Sequence, residues 1–79
     1  MFVYILFSET SSKYYVGQTA NIENRLKRHN QGIVPSTKGG RPWKIVLLLS
    51  VPNRSEALVL EKKIKNRGAK RFLDKHLGV

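Results

Sequence analysis

Phe2-Val3-Tyr4-Ile5-Leu6-Phe7, then Ser8-Glu9-Thr10-Ser11-Ser12-Lys13, then Tyr14-Tyr15-Val16-Gly17-Gln18-Thr19: the chain opens with an apolar run, a polar break and a second, aromatic-rich run. The first run is apolar throughout, which marks a strand covered on both faces and therefore central in its sheet. The break has the composition of a hairpin loop, so the second run is expected to pair antiparallel with the first. This N-terminus has no basic leader and no small-residue cleavage site, and it falls far short of the roughly 20 apolar residues that a membrane span needs. A soluble, cytoplasmic protein with no membrane partner is expected.

Working outward, Asn21 suits a helix N-cap, Glu23 the first-turn dipole and Gly32 a C-terminal stop, which predicts a helix from Ile22 to about Gln31. Pro35 to Pro42 is a basic loop punctuated by glycine and proline. Trp43 to Val51 carries a third strand, ended by Pro52. Asn53 followed by Glu56 resembles a capping box and starts a second helix to about Asn66, stopped by Gly68, with a short third helix over Ala69 to Leu77. The order β-β-α-β-α predicts an α+β fold, a small three-stranded antiparallel sheet flanked by helices. With 79 residues there is room for one hydrophobic core, so residues 1–79 are expected to form a single domain.

Fifteen Lys and Arg against five Asp and Glu leave a net charge of +10. Such a surplus repels itself and fits a chain that binds a polyanion. The absence of cysteine excludes a disulfide framework and thiolate zinc sites.

Certain residues sit awkwardly in a purely structural account. On the first helix Ile22, Leu26 and Ile33 mark the core stripe, and Arg25 and His29, four apart, stack beside it. With Lys27 and Arg28 they also read as a plain solvated basic face. On the second helix Ala57, Leu58, Leu60 and Ile64 are the apolar positions, and Glu61 falls within or at the rim of their stripe. A carboxylate there is costly unless a cation or a metal compensates it, or unless its head reaches water. All three tyrosines fall on the first two strands. Tyr4 and one of Tyr14 or Tyr15 can share a face, as ordinary strand aromatics or as paired phenols near Arg25. A phenol needs neighbouring positive charge to act as a base at neutral pH.

Taken in order, these segments resemble the GIY-YIG nuclease superfamily, in particular its small bacterial members. The two triplets that name it look like Phe2-Val3-Tyr4 and Tyr15-Val16-Gly17, with Phe2 where the first glycine would stand. Asn21 to His29 is similar to the family's first helix, Thr37-Lys38-Gly39-Gly40-Arg41-Pro42-Trp43-Lys44 to its loop and strand entry. Ser55-Glu56-Ala57 with Glu61 to Lys65 is similar to the helix carrying its metal-binding glutamate.

The resemblance implies a metal-dependent endonuclease hydrolysing phosphodiester bonds in nucleic acid, DNA rather than RNA, with little sequence specificity. Tyr4 and Tyr15 would be the paired phenols, with Tyr4 taking the proton of the attacking water. Arg25 would stabilise charge on the phosphoryl group, and His29 would shuttle a proton or contact phosphate. Glu61 would be the sole protein ligand of one Mg²⁺ or Mn²⁺. A turn at Gly17 would let the backbone approach the phosphate. Lys27, Arg28, Lys38 and Arg41 would neutralise phosphates, which positions nucleic acid without reading sequence. Specificity would then fall to a protein partner or a dimer. The competing expectation is a nucleic-acid-binding module with a vestigial site, for which a carboxylate at Glu61 facing phosphate has no use.

Overall fold

The computed structural model describes residues 1–78. Along the chain lie β1 (Phe2–Ser8), β2 (Lys13–Thr19), α1 (Ile22–Asn30), a 3-10 turn (Pro35–Gly40), β3 (Trp43–Ser50), α2 (Arg54–Arg67) and α3 (Ala69–His76). The strands form one antiparallel sheet in the order β2-β1-β3. β1 is central, as its unbroken apolar run requires, and Val3, Tyr4, Ile5 and Leu6 are all buried. The α+β architecture expected from the sequence is the one observed.

Local chemistry explains the boundaries. Ser8 Oγ, sealed from solvent, accepts hydrogen bonds from the Ser11 backbone N–H at 3.1 Å and the Ser11 hydroxyl at 2.8 Å, closing the β1–β2 hairpin. Asn21 Oδ1 accepts from the Asn24 N–H at 3.0 Å and Asn53 Oδ1 from the Glu56 N–H at 2.9 Å, so both predicted N-caps pair an otherwise orphaned donor. Gly68, at φ 96°, breaks the chain between α2 and α3 in a conformation that side chains other than glycine resist. The basic loop is more ordered than its composition suggests, since Pro35–Gly40 winds into the 3-10 turn.

Alternation along β1 separates two cores. On one face Val3 and Ile5 meet Val16, Ala57, Ile64 and Leu73, beneath α2 and α3. On the other Tyr4 and Leu6 meet Trp43, flanked by Tyr15, Ile22, Leu26 and Ile45, beneath α1. β3 serves both through a bulge: Ile5 pairs with Leu47 but Leu6 with Ile45, which leaves Val46 without a partner of its own. The extra residue puts Ile45 on the α1 side and both Val46 and Leu47 on the α2 side.

Two core expectations fail. Ile33 is 54% exposed because α1 ends at Asn30, so helical spacing no longer sets its direction. Leu58 is also 54% exposed: Ala57 and Ile64 are buried and Leu60 packs against them, and the next residue after Ala57 points about 100° away.

Candidate active site

The α1 face of the sheet carries the polar groups. Tyr4 projects from the centre of β1, directly opposite Gly17 on β2. A β-carbon at Gly17 would stand 2.5 Å from the Tyr4 hydroxyl oxygen and 3.1 Å from the Tyr15 ring. This corrects the sequence reading of Gly17: it lies buried in mid-strand rather than in a turn against phosphate, and its missing side chain is the space that Tyr4 occupies. Tyr15, two residues away, falls on the Tyr4 side, with ring centroids 6.4 Å apart. Tyr14 turns the other way and packs on Phe7 at 4.8 Å. The alternative left open by the sequence is thereby resolved in favour of Tyr15.

His29 is not on a solvated basic face. It is fully buried, its ring lies 4.9 Å from that of Tyr15, and its Nε2 is 3.1 Å from the Tyr4 hydroxyl. Burial, and then the positive charge of Arg25, hold its imidazole below the ordinary histidine range, which favours the neutral ring. For Tyr4 burial pushes the phenol well above its usual value, and the neighbouring Tyr15 adds to this. Arg25 pulls in the other direction and Glu61 opposes it. Arg25 thus has the sign expected of it, but burial outweighs it, and Tyr4 keeps its proton unless another group takes it.

Contacts join Tyr4 of β1, Tyr15 of β2 and His29 of α1, while Arg25 of α1 and Glu61 of α2 reach Tyr4 by charge. Glu61 is a rim residue, its side chain 18% exposed, and its carboxylate accepts from Lys65 Nζ at 2.8 Å one helical turn on. Among the described residues no group of three or more His, Cys, Asp or Glu is placed to hold a metal ion. A lone carboxylate nevertheless suits a hard divalent cation of the Mg²⁺ type, which keeps several waters and takes phosphate oxygens from its substrate. The donor set therefore fits such an ion, and the exposed Lys65 is held only by a pair of the weak i,i+4 kind.

Two open hollows meet at Tyr14 and Tyr15. One is bounded by Lys13, Ser36, Gly40 and Trp43, the other by Lys65, Ala69 and Lys70. Lys27, Arg28, Lys38 and Arg41 are all exposed. Arg41 Nε donates to the Lys38 carbonyl at 2.9 Å, which keeps its guanidinium close over Gly32.

Two residues of this face escaped sequence reasoning. Thr37, fully buried in the 3-10 turn, has its hydroxyl 2.8 Å from His29 Nδ1. Asn30, the last residue of α1, accepts from the Trp43 N–H at 2.6 Å and donates to the Trp43 carbonyl at 3.0 Å, completing a strand-like pair with its side chain. The only local signals were a threonine in a polar loop and an asparagine at a helix end, and neither identifies a partner far along the chain.

A family model described as the GIY-YIG catalytic domain matches residues 1–74. The chain is similar to a UPF0213 protein of Syntrophus aciditrophicus, 46% identical over 67 residues that cover 81% of this chain and 75% of that one. A UPF0213 protein of Halalkalibacterium halodurans is 32% identical over 66 residues, 82% of this chain and 69% of its own length. The structure-specific endonuclease subunit slx1 of Schizosaccharomyces pombe is 38% identical over 69 residues, and this chain, with 82% of its length aligned, spans only 26% of that subunit. No solved structure matches the chain. Sequence kinship over most of its length thus agrees with the tyrosine pair, helix spacing and sheet order found in the fold, and the chain belongs to the GIY-YIG family of nuclease domains.

Proposed function

We propose that this chain is a divalent-metal-dependent endonuclease that hydrolyses phosphodiester bonds in DNA with little regard to sequence. The observation that carries the reading is the buried contact of Tyr4, Tyr15 and His29 on the α1 side of the sheet, with the charges of Arg25 on α1 and of Glu61 at the rim of α2 acting on Tyr4 in opposite senses. A single hydrolytic site would use all of these polar groups, buried or at the rim.

In this reading Tyr4 receives the proton of the attacking water and His29 takes up the proton that Tyr4 gives away. Tyr15 orients the water or a phosphate oxygen. Arg25 offsets the charge that grows on the phosphoryl oxygens as the bond to water forms. Glu61 would hold one Mg²⁺ or Mn²⁺ in place of Lys65, and the ion would supply Lewis-acid charge at the scissile phosphate. Lys13, Lys65 and Lys70 along the two hollows, with Lys27, Arg28, Lys38 and Arg41, neutralise the flanking phosphates.

The kinship with a structure-specific endonuclease subunit makes branched DNA the first substrate to try. The test is cleavage of labelled branched duplex, linear duplex and single-stranded DNA, and of RNA, with Mg²⁺ or Mn²⁺, beside Glu61→Gln and Arg25→Ala. The expected result is metal-dependent cutting of DNA that both variants abolish while still binding it. If the wild type binds and never cuts, and Glu61→Gln binds more tightly, the chain is a binding module and the reading is wrong.

A further inference from the structure

We propose that Thr37 is a positioning residue that fixes His29 in the one tautomer whose Nε2 lone pair can receive the Tyr4 proton. The proposal deepens the nuclease reading and rests on it for the catalytic consequence, but its structural half stands on hydrogen-bond direction alone.

The polar groups form a single buried chain. The Tyr4 hydroxyl lies 3.1 Å from His29 Nε2, His29 Nδ1 lies 2.8 Å from Thr37 Oγ1, and Thr37 Oγ1 donates to the Val34 carbonyl at 3.3 Å. The last group is a carbonyl, which can only accept, and this sets the direction of every proton before it. Thr37 uses its one proton on Val34, so its oxygen accepts from His29 Nδ1–H. A neutral imidazole protonated at Nδ1 has its lone pair at Nε2, and the Tyr4 hydroxyl donates there. Reversing the chain costs at both ends: the Val34 carbonyl keeps only the Thr37 N–H, and the phenolic proton of a 2% exposed Tyr4 is left without an acceptor among the described residues.

Thr37 is held in place for this task. Its own N–H donates to the Val34 carbonyl at 3.1 Å, and its carbonyl accepts from Trp43 Nε1 at 2.7 Å. Trp43 is in turn gripped by Asn30 on the same helix as His29. In the reaction, water gives a proton to the Tyr4 oxygen as the phenolic proton passes to Nε2. The water oxygen forms its bond to phosphorus, the leaving oxygen departs with the bonding pair and is protonated by solvent, and His29 is left as imidazolium with Nδ1–H still on Thr37. Tyr4 never has to persist as a buried phenolate.

The experiment reads the ring nitrogens of His29 by ¹⁵N–¹H correlation at neutral pH without DNA or metal, with His76→Gln separating the two histidines of the chain. The wild type should show a protonated Nδ1 and a bare Nε2. Thr37→Val should shift both signals toward a mixture of tautomers and lower kcat about tenfold with KM unchanged, as expected for losing one orienting hydrogen bond. Thr37→Ser, which keeps the hydroxyl, should restore both. A wild-type spectrum with a protonated Nε2 and a bare Nδ1 overturns the proposal, as does a Thr37→Val protein whose His29 signals do not move. A wild type with the expected spectrum that never cuts DNA defeats the nuclease reading and leaves the tautomer assignment standing.

Discussion

The two faces of β1 are made from alternate residues of one strand, yet they hold opposite chemistry. Val3 and Ile5 enter a hydrophobic core closed by Ala57, Ile64 and Leu73, where volume and shape dominate. Tyr4, one position away, enters a layer in which a buried phenol, imidazole and hydroxyl are joined in one hydrogen-bonded chain that ends on the Val34 carbonyl. The first arrangement tolerates exchange of one hydrocarbon for another of similar volume. The second does not, because each member relies on a hydrogen bond to the next and low polarity magnifies any loss. The α2 side thus carries most of the apolar packing and the α1 side the buried polar chain, and β1 belongs to both.

Substitutions can break or sharpen this contrast. The largest stability effect is expected for Ile64→Ala on the apolar side, where the side chain is fully buried. It should cost about 2–5 kcal/mol in urea unfolding, close to the whole margin of many small domains. On the polar side Tyr4→Phe removes one oxygen and should cost about 1–2 kcal/mol by the same measurement while lowering cleavage ~100-fold or more. If Tyr4→Phe destabilises as much as Ile64→Ala and folded protein cuts normally, the division between the faces is wrong.

A pH titration sharpens the same point without changing the β1 pair. The folded His29 has a depressed pKa, so between that value and the ordinary imidazole value of about 6.5 the unfolded chain binds a proton that the folded chain refuses. Its contribution to stability is complete above that ordinary value and lost as pH falls toward the folded one. Urea midpoints from pH 8 down to pH 5 should therefore fall more steeply for the wild type than for His29→Gln. Equal slopes would mean that burial of the imidazole carries no penalty on protonation. The smallest effect is expected outside both faces. Glu9, whose carboxyl is held below its usual range by the hydrogen bond and charge of Lys44, is an exposed surface partner, and Glu9→Gln should leave the urea midpoint unchanged within error.

Much of the fold was legible because its signals are local. The apolar run of β1 announced a central strand, and the polar break announced a hairpin. Asn21 and Asn53 announced helix starts, since a cap acts on a backbone N–H only three residues away. Arg25, His29 and Glu61 stood out by helical spacing as polar groups beside apolar ones. What the spacing left open was depth: it put His29 beside the stripe, where a solvated basic face was one reading, whereas the Tyr4 hydroxyl and the 3-10 turn enclose it. Gly17 was misread for a related reason, because the need for glycine arises on the neighbouring strand and not in its own.

By itself the sequence determined the order of elements, the antiparallel hairpin, both helix caps and the set of polar residues that a hydrolytic site would use, all of them properties of residues within one helical turn or one strand repeat of each other. Only the tertiary structure decided which phenol joins Tyr4, that β3 bulges at Val46, and that Asn30 and Thr37 tie α1 to β3 and His29 to the 3-10 turn. Those contacts join residues well apart along the chain, 8 positions for His29 and Thr37 and 13 for Asn30 and Trp43, and further still for β1 and β3. Their energy depends on packing and hydrogen-bond direction after the chain has closed, and no periodicity along the chain encodes either.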